Sequence, residues 1–203
     1  MRLQRVCHDT LPWLISFSLE LARAPSYFMM SLFRRIPTIS APTIGFLDLT
    51  EGEASIEVAA DRAAISPLFR SSKDSSFEPP PCNVLFLYCH IEPDGDIRGY
   101  SRSVREVIRD SGAVVVVVAT ANTAENYIAG TKKQRYGHAN LIMALDRRGD
   151  IFPKFFQRLF TEMKRGVSMP VAWVKLAPQI PGAEHADCPD TIFSCEAGQL
   201  AFK

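Results

Sequence analysis

Runs of apolar residues alternate with polar gaps through the second half of the chain, at the lengths expected of strands and helices. Within Ala113 to Glu125 (AVVVVVATANTAE), five consecutive valines follow Ser111-Gly112 and precede a polar run. This pattern predicts a short strand buried on both faces, as in a parallel sheet. Asn83 to Cys89 (NVLFLYC) predicts its partner. Between the two, Ser101 to Asp110 (SRSVREVIRD) places Val104, Val107 and Ile108 at helical spacing, with Ser101 or Ser103 as N-cap. Strand, helix, strand in succession is a βαβ unit, whose connection is right-handed, so both strands run parallel and end at one edge. His90 follows the first strand, and Thr120, Ala121 and Asn122 follow the second. Open α/β sheets hold their ligands and chemistry at that edge.

The same reading extends outward. Asn140 to Leu145 (NLIMAL) predicts a third buried strand, and Ile151 to Lys164 a helix with Phe155, Phe156, Leu159, Phe160 and Met163 on one stripe. A phenylalanine stripe at that spacing belongs to a core. Pro170 to Ala177 reads as another helix with proline in its first turn, and Thr191 to Cys195 as a closing strand. Glu125 to Lys133 reads as a helix or loop, and Lys132 to Arg135 as a solvated basic cluster. Upstream, Thr43 to Leu49 and Ala54 to Ala59 are expected as two strands of a hairpin or meander around Thr50-Glu51-Gly52-Glu53. Asp61 is placed as the cap of a short helix reaching Ala64 or Ile65, ended by Pro67. Ser71 to Pro81 (SSKDSSFEPPP) is expected as an exposed, mobile linker, neither helix nor inner strand.

The first forty residues fit two helical pieces separated at Pro25, with Trp13, Leu14, Phe17, Leu21, Phe28, Met29, Leu32 and Phe33 supplying apolar faces. Asp9 and Glu20 interrupt the apolar patch at Leu11 to Ala22, which is too short to span a bilayer and is not read as a signal peptide. Three regions follow: a helical extension over 1–42, a strand pair, short helix and linker over 43–82, and an α/β domain over 83–203. The extension is also a candidate docking element for a protein partner, since so much exposed apolar surface needs a cover.

Length and charge narrow the classes. A chain of 203 residues, 47% hydrophobic, supports one substantial core. A net charge of +1 offers no electrostatic footprint for nucleic acid or for a membrane surface. Cys7, Cys82, Cys89, Cys188 and Cys195 are an odd set without a CxxC pair, which reads as reduced thiols and a cytoplasmic location. His185 and Cys188 have ligand-like spacing but too few companions for zinc, so neither metal nor cofactor is expected.

Several segments then resemble one family. Val118-Ala119-Thr120-Ala121-Asn122-Thr123-Ala124 can be laid on the Leu-Ser-Ala-Cys-Glu-Thr-Gly motif of caspase-like peptidases of the CHAT group, with Thr123 retained and the Cys position on Ala121. Tyr88-Cys89-His90-Ile91 resembles the family's Cys-His-Gly, with Ile91 in place of Gly. Downstream, Asp150, Phe155, Phe156, Leu159, Phe160, Gly166-Val167-Ser168, Ala172 and Asp190 to Gly198 follow the family's spacing. The resemblance covers 83–203 and implies a three-layer caspase-like α/β fold, a mostly parallel sheet with helices on both faces. It implies a cysteine endopeptidase acting on a protein or peptide, with His90 as general base, position 121 as the nucleophile's site and the backbone N–H of Ile91 as oxyanion donor. Thr120, Asn122 and Asp150 are weak candidates for the substrate pocket.

Alanine has no nucleophile, so the chain as written is expected to be inert. Cys89 cannot substitute, because neighbours on a strand point to opposite faces, and an unactivated Thr120 hydroxyl is a poor nucleophile. An alanine at position 121 fits an engineered silencing of an active peptidase, favoured by the intact frame around His90, or a natural pseudoprotease that binds proteins. A third class, a TIR-like nucleotide hydrolase using Glu125, ranks behind both, since Gly95 and Gly99 in PDGDIRG do not make a phosphate loop.

Overall fold

Five parallel strands and one antiparallel strand form the sheet on which the rest of the molecule is built. The computed structural model describes residues 36–50, 55–132, 139–177 and 188–203. The sheet strands are β2 (Thr43–Asp48), β3 (Ser71–Ser75), β4 (Val84–Tyr88), β5 (Val115–Val118), β6 (Asn140–Asp146) and β7 (Asp190–Cys195), in the spatial order β3-β2-β4-β5-β6-β7. Only β7 runs antiparallel to its neighbour, with a register irregularity between Ala144 and Asp146. A separate parallel pair, β1 (Thr38–Ile39) and β8 (Ala201–Phe202), joins the start and end of this unit.

Helices α1 (Ser55–Ile65), α2 (Val104–Ser111), α3 (Ala124–Lys132), α4 (Ile151–Lys164) and α5 (Met169–Leu176) complete the three layers. Alternation along the strands splits the core in two. On one side Ile44, Phe46, Phe86, Tyr88, Val117 and Ile142 meet α1, α4 and α5. On the other, Leu85, Leu87, Cys89, Val116, Val118 and Met143 meet α2 and Tyr127 of α3. Both faces of the central strands are therefore covered, which is why they read as unbroken apolar runs.

The phenylalanine stripe of α4 is core, as its spacing predicts. Phe152, Phe155, Phe156, Leu159, Phe160 and Met163 are all fully buried. Phe86 of β4 stands edge-on to Phe156, with ring centroids 5.3 Å apart. Burying each such side chain contributes about 1.5–3 kcal/mol. Of the two capping candidates for α2, Ser103 is the cap. Its hydroxyl accepts from the Glu106 N–H at 3.4 Å while the Glu106 carboxylate accepts from the Ser103 N–H at 2.8 Å. Gly112, at φ 66°, ends the helix in the left-handed conformation that costs glycine no Cβ clash.

Three expectations change. Ala54 to Ala59 is not a strand: from Ser55 the segment is the first half of α1. Its alanines carry high helix propensity, and Val58, Asp61 and Ile65 form the buried stripe, a helical spacing that a period-two reading of a short window conceals. Asp61 consequently sits inside α1 and is no cap. Finally, Ser71 to Pro81 is not a loose linker. Ser71–Ser75 pairs along β2 as the outermost strand, where Lys73 and Asp74 are exposed charges suited to a sheet edge, and Pro79 and Pro80 are buried. Gly45 of β2 allows this approach, because a Cβ there would lie 2.7 Å from Pro80 Cγ and 2.8 Å from Cys82 Sγ.

The helical pieces expected over the N-terminal forty residues lie outside the described residues as far as Arg35, and Thr38–Ile39 is strand. The basic cluster at 133–135 and His185 also lie outside them. No helix among the described residues is long and apolar enough to cross a membrane.

Candidate active-site crevice

His90 and Ala121 leave the carboxyl ends of β4 and β5 at the same level. Leu87 and Val118 are register partners, and His90 and Ala121 lie equally far beyond them. The Ala119 N–H donates to Leu87 O at 2.8 Å, carrying the pairing past the last strand residue. Parity agrees too. Tyr88 and Ala119, two residues earlier on each chain, belong to one core layer. Adjacent strands are about 4.8 Å apart, close enough for groups at these positions to meet.

Both residues line one open cavity of about 510 Å³, with Ile91, Arg98, Asn122, Thr123, Ala124, Asn126 and Leu145. His90 and Ala121 are exposed to solvent. Thr123 caps α3: its carbonyl accepts the Tyr127 N–H at 3.2 Å and its hydroxyl accepts the Asn126 N–H at 3.3 Å. The first turn of α3 thus forms one wall. The opposite wall is a turn after β4 in which Ile91 bridges Ile97 and Gly95 takes φ 89°. That turn brings Arg98 into the cavity beside Glu92, with which it is ion-paired at 2.5 Å.

Asn122 joins the two strand ends. Its Nδ2 donates to Cys89 O at 3.1 Å and to Thr120 O at 3.0 Å, and its Oδ1 accepts the Ile91 N–H at 2.8 Å. Its own N–H donates to Ala144 O at 3.0 Å, on β6. The Ile91 N–H, expected as an oxyanion donor, is therefore already engaged by a side chain of the protein.

Thr120 and Asp150 are not among the lining residues. Thr120 contributes its carbonyl to Asn122, and Asp150 is exposed at the start of α4 with no side-chain cap bond. Cys89 is fully buried in the layer beneath, where burial pushes its thiol far above the ordinary range. Cys188 is buried, with Sγ donating to Pro189 O at 3.3 Å, and no cluster of metal-ligating side chains occurs among the described residues. Glu125 is exposed on the first turn of α3 and does not line the cavity.

Arg98, Asn126 and Leu145 were not singled out by motif. In sequence, Gly95 and Gly99 of PDGDIRG read only as failing to make a phosphate loop, and nothing local indicates that this segment brings Arg98 into the cavity. The chemistry available is limited by position 121. A thiol there would share the cavity with the His90 imidazole; the methyl group present can only bound a binding crevice.

No protein-family model and no curated protein matches the chain.

Proposed function

We propose that the chain is a cysteine endopeptidase domain of the caspase-like CHAT type, silenced at its nucleophile by Ala121. What carries this reading is the placement of His90 and Ala121 at one level on adjacent parallel strands, facing one crevice at the carboxyl edge of the sheet. The six-stranded three-layer architecture and the resemblance of the two motifs support it further. With a thiol at position 121, His90 would take its proton. The thiolate would add to a peptide carbonyl, and the imidazolium would return the proton to the leaving amine.

A second reading, a natural pseudoprotease that binds a protein or peptide through the same crevice, is favoured by the engagement of the Ile91 N–H by Asn122. A nucleotide-hydrolysing role draws less support, since Glu125 is not in the crevice wall.

The test is to incubate Ala121→Cys with denatured protein substrates and to search for new termini by mass spectrometry, with Ala121→Cys/His90→Ala as control. Cleavage that requires His90 supports the peptidase reading. Absence of cleavage both in folded Ala121→Cys and in folded Ala121→Cys/Asn122→Ala, which frees the Ile91 N–H, leaves the pseudoprotease reading. Nicotinamide release from its dinucleotide by the unaltered chain would replace both.

A further inference from the structure

Asn122 spends both side-chain donors and one acceptor lone pair on the two strand ends. A carboxamide has two N–H donors and one carbonyl oxygen. Here both donors meet carbonyls, Cys89 O and Thr120 O, and the oxygen takes the Ile91 N–H. Its main chain is tied separately to Ala144 O. The side chain is half-buried and its position is determined from four sides.

We infer that Asn122 is an internal plug of the oxyanion position, its carboxamide oxygen occupying the Ile91 N–H that the peptidase reading assigns to a tetrahedral intermediate at position 121. This rests on the peptidase reading of the crevice. It goes further by placing a second block beside the missing thiol. Acyl transfer develops negative charge on the former carbonyl oxygen, and donors aimed at that oxygen must be in place beforehand. A donor already bonded to Asn122 Oδ1 offers nothing until that bond breaks, and the two donor bonds of Nδ2 resist rotation of the group. Restoring a thiol at position 121 therefore does not by itself restore acyl transfer.

Two reagents separate thiol activation from oxyanion stabilisation. Iodoacetamide alkylates a thiolate by displacing iodide and passes through no oxyanion. With p-nitrophenyl acetate the thiolate adds to the carbonyl carbon and the carbonyl pair moves to oxygen. Collapse of that oxyanion expels p-nitrophenolate and leaves a thioester, His90 holding the thiol proton. In the Ala121→Cys protein, alkylation should be fast and dependent on His90, while acetylation should be slow. Adding Asn122→Ala should raise acetylation about a hundredfold, with alkylation nearly unchanged. Where Asn122→Ala fails to fold, Asn122→Ser removes the acceptor because its hydroxyl is too short to reach Ile91.

Fast acetylation in Ala121→Cys alone, no rise on adding Asn122→Ala, or an equal rise in both reactions would overturn the plug. Alkylation indifferent to His90 would instead overturn the base assigned to the crevice, whatever acetylation does. Independently of any variant, the Ile91 amide of the unaltered chain should be protected from hydrogen exchange. Exchange at the rate of an open loop amide would overturn the plug as well.

Discussion

Asp61 on α1 and Arg147 at the carboxyl end of β6 form a buried two-point ion pair, with Arg147 Nη1 2.8 Å from Asp61 Oδ2 and Nη2 3.0 Å from Oδ1. The Tyr88 hydroxyl donates to Asp61 Oδ2 at 2.8 Å, Arg147 Nη1 reaches Ala119 O at 3.2 Å, and the guanidinium lies 4.3 Å over the Phe152 ring. Burial, then the Asp61 carboxylate, push the Tyr88 phenol far above its usual range, so it stays a donor. The network ties α1 to the ends of β4, β5 and β6, directly beneath the strand ends that present His90 and Ala121.

Removing Arg147 strands the buried Asp61 charge, and removing Asp61 leaves the Arg147 guanidinium only the half-exposed Glu57, 3.2 Å from its Nε. Arg147→Met or Asp61→Leu should each cost about 3–5 kcal/mol, whereas the double variant should cost clearly less than their sum. Urea unfolding of the three proteins measures this directly. Additive losses would mean that the pair is uncoupled.

The close approach of Pro80 to the sheet predicts a cost for adding one methyl. Gly45→Ala should lower stability by about 1–3 kcal/mol, because the new Cβ meets Pro80 Cγ and Cys82 Sγ below 3.0 Å. A thermal melt checks it. The same packing predicts that Pro79 and Pro80 resist limited proteolysis; rapid cutting there would restore the linker expectation.

The capping box makes α2 sensitive to acid. The Ser103 backbone N–H, then its hydroxyl, hold the Glu106 carboxyl below its usual range. A depressed folded-state pKa gives stability that is present above the unfolded pKa and lost as pH falls through the folded one. The stability difference between the unaltered chain and Glu106→Gln should therefore be largest near neutrality and shrink in acid below the ordinary carboxylate range. A difference constant across that range would contradict the box. Ser103→Ala should cost about 1 kcal/mol in urea unfolding at neutral pH.

Much of this architecture was legible because the strands are buried on both faces. NVLFLYC and the five valines could be little else, and the Phe stripe of α4 has an unmistakable helical period. The helix at Ser55–Ile65 was hidden because its first turn also fits a short alternating pattern, and the partner that explains Asp61 lies far along the chain at Arg147. The strand at Ser71–Ser75 was hidden for a different reason. An edge strand with an exposed, polar sequence has the composition of a loop, and only pairing with β2 makes it a strand. The level placement of His90 with Ala121 followed from the βαβ argument. The role of Asn122 did not, because three hydrogen bonds to backbone groups leave no trace in residue spacing.

The thiols already present provide an internal scale for position 121. Burial pushes Cys82 up to about 12 and Cys188 up to about 11, and Cys89 is raised further, while Cys195 is exposed. Among the cysteines of the described residues, a neutral-pH thiol reagent followed by peptide mapping should modify Cys195 before the three buried ones, which react only on unfolding. Early modification of Cys82 or Cys89 would contradict their place in the core.

The most direct measurement of the central claim is the rate of iodoacetamide alkylation at position 121 in the Ala121→Cys protein, followed from pH 5 to 9 beside Cys195. An unassisted thiol ionises near a pKa of about 8.5, whereas a thiol within reach of an imidazole ionises lower. The account predicts alkylation at least about tenfold faster than at Cys195 near pH 6.5, falling to the Cys195 rate in Ala121→Cys/His90→Ala. Alkylation at position 121 no faster than at Cys195, or unaffected by His90→Ala, would contradict it.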